Sequence, residues 1–82
     1  MYEIMRTDDV CTLVYGGQWM PIPNDTPQAV AHGIALIMCE QWAEDDFNTV
    51  QMMKMWAPDI LNEIGLPADL VDVMMNVATG GK

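Results

Sequence analysis

The stretch Pro27–Ala43, PQAVAHGIALIMCEQWA, decides how the 82-residue chain folds, because it is the longest run with a helical period and the least polar. Thr26 is placed to cap its N-terminus, and Pro27 suits the first helical position, where a missing N–H is no loss. At about 100° per residue, Val30, Ala31, Ile34, Ala35, Ile37, Met38 and Trp42 share one broad face, the expected core. The opposite side carries Gln28, His32 and Glu40, but also Ala29, Leu36 and Ala43 at seven-residue spacing, with Cys39 beside them. A helix apolar on both sides is usually sandwiched, so that second side calls for another element of the chain or for a partner.

Upstream, residues 2–7 (YEIMRT) and 10–15 (VCTLVY) are rich in β-branched and aromatic residues, and Asp8-Asp9 suits a two-residue hairpin loop. Gly16-Gly17 is a second turn signal, followed by Gln18-Trp19-Met20. Cys11, Leu13 and Tyr15 alternate with Val10, Thr12 and Val14, which puts the first set on the helix. Pro21 and Pro23 close the third strand and make it an edge, since proline cannot donate to a ladder, and PIPNDTP is then a stiff connection into the central helix.

Downstream, the central helix should stop at Glu44-Asp45-Asp46, with Asp45 or Asp46 capping the segment FNTVQMMKMWA. Pro58 is expected to break that helix and DILNEI to form a short one, stopped by Gly65 at the C′ position with Leu66 in hydrophobic contact. Pro67 opens the last helix, where Leu70, Val73, Met74 and Val77 form an apolar stripe, and Thr79–Lys82 frays. Strands first and helices after them favour α+β over a parallel α/β design. The expectation is one domain, residues 1–82: a three-stranded antiparallel meander packed on a long central helix, followed by two to three shorter C-terminal helices.

Charge is the unusual part of the composition. Twelve Asp and Glu stand against three Lys and Arg, a formal charge of −9, although only 18% of residues are charged. Such a surface repels nucleic acid and anionic membrane and speeds encounter with a basic partner. Direct nucleic-acid binding is therefore not expected. No apolar run reaches the ~20 residues of a membrane helix, and the N-terminus has no signal-peptide pattern, so the chain reads as soluble and cytoplasmic. Cys11 and Cys39 fit no zinc or CxxC spacing and read as buried free thiols.

Enzyme chemistry finds little support. The chain has no serine, one histidine, one arginine and no Gly-rich loop ahead of a helix. His32 and Cys39 are seven residues apart, about 10 Å along a helix, too far for a nucleophile and its base. No catalytic residue, cofactor or metal is assigned. Glu40, Glu44, Asp45 and Asp46 lack the glycine-containing turn of a calcium loop.

Those four carboxylates read either as a solvated helix end or as the centre of an acidic docking patch. Asp59, Glu63, Asp69 and Asp72 extend the patch if the fold brings them near. Nine methionines, five of them between Met52 and Met75, fill a core or serve an adaptable interface. Met53, Met55 and Trp56 span more of a helix than one core covers, and with Ala29, Leu36 and Ala43 they are the expected apolar centre or dimer face. The reading reached is a non-enzymatic acidic module that binds a basic protein, in its most concrete form an inhibitor occupying a target's nucleic-acid-binding surface. Small acidic accessory proteins of phages and mobile elements, anti-restriction and anti-CRISPR inhibitors among them, are similar in size and charge, a likeness of composition alone. The alternative is a self-associating structural or regulatory protein, a homodimer with no foreign partner.

Overall fold

A computed structural model describes residues 2–15, 17–22 and 25–80, so Met1, Gly16, Pro23, Asn24 and Gly81-Lys82, among them part of the expected glycine turn, of the stiff connection and of the frayed end, lie outside the described residues. The fold is α+β. Strands β1 (Tyr2–Arg6), β2 (Cys11–Tyr15) and β3 (Gln18–Ile22) form an antiparallel sheet in the order β1-β2-β3. Helices α1 (Pro27–Glu44), α2 (Thr49–Glu63) and α3 (Val71–Ala78) follow, α3 entered through a 3-10 turn at Ala68–Leu70.

Alternation along the strands sets the two faces of the sheet. The register pairs Ile4 with Leu13 and Leu13 with Met20, and these residues point inward with Tyr2, Cys11, Tyr15 and Ile22. Glu3, Met5, Thr12, Val14, Trp19 and Pro21 point the other way. β3 is an edge, as its proline requires. At the β1–β2 turn the Thr7 N–H donates to the Val10 carbonyl at 2.8 Å, leaving Asp8-Asp9 as the tip.

One core joins the layers. Cys11, Leu13 and Ile22 from the sheet meet Val30, Ala31, Ile34, Ala35, Met38 and Trp42 of α1, with Met53, Ala57, Ile60 and Leu61 of α2 and Met74 of α3 completing it. Ile37, expected in the core face, is half-buried at its margin. The interior holds no polar or charged side chain among the described residues.

Helix ends follow capping chemistry, with two departures from expectation. Thr26 caps α1 as expected, its Oγ1 accepting from the Ala29 N–H at 3.1 Å. At α2 the cap is Asn48 rather than Asp45 or Asp46, its Oδ1 accepting from the Gln51 N–H at 3.1 Å. The aspartates are spent on ending α1. The Asp46 N–H donates to Ala43 and the Phe47 N–H to Trp42, a Schellman closure that holds Asp46 at φ 61°. The same closure ends α2 at Gly65, φ 72°, where Leu66 donates to the Leu61 carbonyl at 2.9 Å.

The second departure is Pro58, which does not break the helix: α2 runs through it from Thr49 to Glu63. Pro58 is exposed while Ala57, Ile60 and Leu61 around it are fully buried. The lost hydrogen bond to the Lys54 carbonyl therefore faces water, and packing on the opposite side outweighs it.

Candidate functional site

All twelve carboxylates of the chain are exposed. They are spread over the β1–β2 turn, the lead into α1 and the helices and their ends, with Glu3 alone in a strand. Glu40, Glu44, Asp45 and Asp46 sit at the C-terminal end of α1, where no basic residue occupies the last turn. Helix dipole and like-charge spacing both disfavour acids there, each by a few tenths of a kcal/mol or somewhat more. Asp46 adds a left-handed backbone that favours glycine.

The remaining predicted acids lie further along the helical layer. Asp59 and Glu63 are ten and fourteen residues beyond the start of α2, roughly 15 and 21 Å along its axis. They flank Tyr2, whose phenol hydrogen-bonds to Glu63 and whose ring meets Trp56 edge-on, centroids 5.0 Å apart. Burial, the Glu63 hydrogen bond and the negative charges of Glu63 and Asp59 together push the Tyr2 phenol up to about 12. Asp69, in the 3-10 turn, and Asp72, in the first turn of α3, follow the C-terminal end of α2. No three His, Cys, Asp or Glu side chains converge on a metal-holding geometry among the described residues.

The predicted apolar residues divide as well. Met53 is fully buried and belongs to the core, so it cannot contribute to a surface. Trp56 is half-buried against Tyr2. Met55 is 63% exposed and Leu36 50% exposed, while Ala43 is exposed and Ala29 half-buried. Leu36 and Ala43 thus remain open on the outer side of α1, uncovered by the chain's own elements. Phe47 was not singled out from the sequence, yet it stands half-exposed directly after Asp45-Asp46. Trp19 and Met5, on the open face of the sheet, were also missed. The signal for them was the strand register, which puts Trp19 and Met5 opposite the inward set.

Two other features bear on chemistry. A cleft of about 320 Å³ opens between the β1–β2 turn, the lead into α1 and the end of α2, lined by Arg6, Thr7, Asp8, Asp25 and Ile64. The chain's single arginine thus shares its cleft with two carboxylates, and neither Arg6, Thr7 nor Asp8 is without a partner. Both cysteines are free, Cys11 buried and Cys39 half-buried. Burial pushes both thiols up, Arg6 partly offsetting the effect at Cys11, and a raised thiol pKa lowers the thiolate fraction a nucleophile needs.

No helix among the described residues is long and apolar enough to cross a membrane. No protein-family model, curated protein or solved structure matches the chain. The chain is a small α+β body whose helices and their ends carry eight of its twelve carboxylates, with Leu36, Phe47, Val50 and Met55 as exposed large apolar side chains on the same elements and the link between them.

Proposed function

We propose that this chain is a non-enzymatic acidic binding module that docks on the basic, nucleic-acid-binding surface of a target protein and blocks it. The observation that carries the reading is the group at the end of α1. Four carboxylates stand exposed within seven residues, Glu40 to Asp46, at a helix end whose dipole disfavours them, with like-charge spacing added at Glu40 and Glu44 and a left-handed backbone at Asp46. A chain selected for stability alone gains from other residues there. A cationic partner surface reverses the balance, because each carboxylate then meets an opposite charge as water leaves.

Phe47 and Ala43 supply apolar contact beside these charges, an interface pattern of anchor and polar rim. A surface of this sign competes with phosphate for lysines and arginines, so the natural target class is a protein that handles nucleic acid. The working pole is the end of α1, with Asp59, Glu63, Asp69 and Asp72 as long-range steering charge rather than direct contacts.

The test is capture of binding proteins on the immobilised chain, eluted by a salt ramp. A basic nucleic-acid-handling protein released at moderate salt, and losing its nucleic acid when the chain is bound, is the expected result. If no basic protein is retained at low salt, the reading fails.

A further inference from the structure

The sheet is covered on one face only. Its inward Tyr2, Ile4, Cys11, Leu13, Tyr15, Met20 and Ile22 are buried or half-buried against the helices, whereas on the outward face Trp19 is 67% exposed, Met5 47% exposed and Pro21 exposed, with Thr12 and Val14 half-buried between them. We propose that this open face is the contact between two copies of the chain, packed sheet to sheet.

Charge identifies the occupant. The strand register leaves Glu3 as the one carboxylate on this face; the other eleven lie in turns, loops and helices. A second copy also carries −9 and can approach only where that charge is absent. The outer side of α1, with Leu36 exposed, is the competing choice, but Glu40 lies on the same side and Glu44–Asp46 follow it. Sheet-to-sheet packing avoids that repulsion. With the two sheets about 10 Å apart, each acidic helical layer is on the far side of its own sheet, beyond the Debye length of about 8 Å at physiological salt.

Area sets the strength. Five residues at about 3.4 Å and three strands at about 4.8 Å make a face of roughly 17 by 14 Å. That footprint, roughly 240 Å² per copy, is well below the standard size of specific interfaces, so the contact is a weak one. A largely apolar patch with Glu3 as its one charge offers a foreign protein few groups to recognise, but the same patch on a second copy can pack against it about a two-fold axis. The product is a weak homodimer with Trp19 and Met5 buried on either side of Thr12 and Val14, helices outside and sheets within.

The test is sedimentation equilibrium of the whole chain from micromolar to millimolar concentration at low and high salt, with tryptophan emission recorded alongside. The expected mass climbs from 9.2 kDa towards twice that value, sooner at high salt, as Trp19 emission shifts to the blue. Trp19→Lys and, separately, Met5→Lys should keep native circular dichroism and raise the dimer dissociation constant about tenfold or more. A chain that stays monomeric at millimolar concentration in high salt overturns the proposal. So does a dimer that both variants leave intact, or one that Leu36→Lys dissociates instead. Binding to a basic partner weakens with salt while this dimer tightens, so the two readings fail separately.

Discussion

Asp46 is the residue at which stability and charge pull furthest apart. Its φ of 61° is the left-handed conformation that ends α1, and Gly65 fills the equivalent position at the end of α2. Asp46→Gly should stabilise the chain by about 0.5–1 kcal/mol, read as a higher urea midpoint with an unchanged slope. Tyr2 gives a second residue-level outcome, through pH. Its phenol ionises near 12 in the folded chain against 10.0 for the free group, because burial and then Glu63 favour the protonated form. Above pH 10 the unfolded chain releases a proton that the native chain keeps. The stability this group contributes is therefore whole below pH 10 and lost as pH rises through 12. Urea midpoints measured on either side of that window, for the wild type and Tyr2→Phe, should show the fall in the wild type and a smaller one in the variant.

Among elements, α2 is the most instructive. Proline inside a helix ordinarily costs about 3 kcal/mol, yet α2 is continuous through Pro58 because Met53, Ala57, Ile60 and Leu61 hold its other side in the core. Pro58→Ala should accordingly raise stability by about 1–3 kcal/mol, again read from the urea midpoint. This element also shows what sequence can and cannot tell. The meander, its edge strand, the Thr26 cap and the Gly65 stop were all legible, since each rests on local chemistry: alternation, a turn dipeptide, a hydroxyl at an N-cap, a glycine at C′. The continuity of α2 was not, because it depends on long-range packing that overrides a local breaker. The Asn48 cap was hidden for a related reason. Asp45 and Asp46 are equally good caps by type, and only the closure of α1 removes them from contention. For the candidate residues, only exposure can be compared: the carboxylates are exposed as their charge requires and seven-residue spacing found the exposed Leu36, but no period could tell that Met53 points inward while Met55 is exposed.

At the scale of the whole molecule, the two layers differ in character. The sheet presents a face with one carboxylate, and the helical layer carries the exposed acids of α1, α2 and α3. If both proposals hold, that division gives one small body two kinds of contact with opposite salt responses. Folding tolerates the charge because every carboxylate stays in water and the interior is wholly apolar among the described residues. Screening should stabilise the free chain slightly and, on the proposed function, weaken its hold on a basic partner. The central claim, that the carboxylates closing α1 dock on a cationic protein surface, is tested most directly by the salt dependence of binding to the captured partner. The wild type is compared with the triple variant Glu44→Lys, Asp45→Lys, Asp46→Lys, its fold verified by circular dichroism. Wild-type affinity should fall steeply with salt, and the variant should bind more weakly with a flatter dependence. Equal affinity and equal slope for the two proteins would contradict the claim.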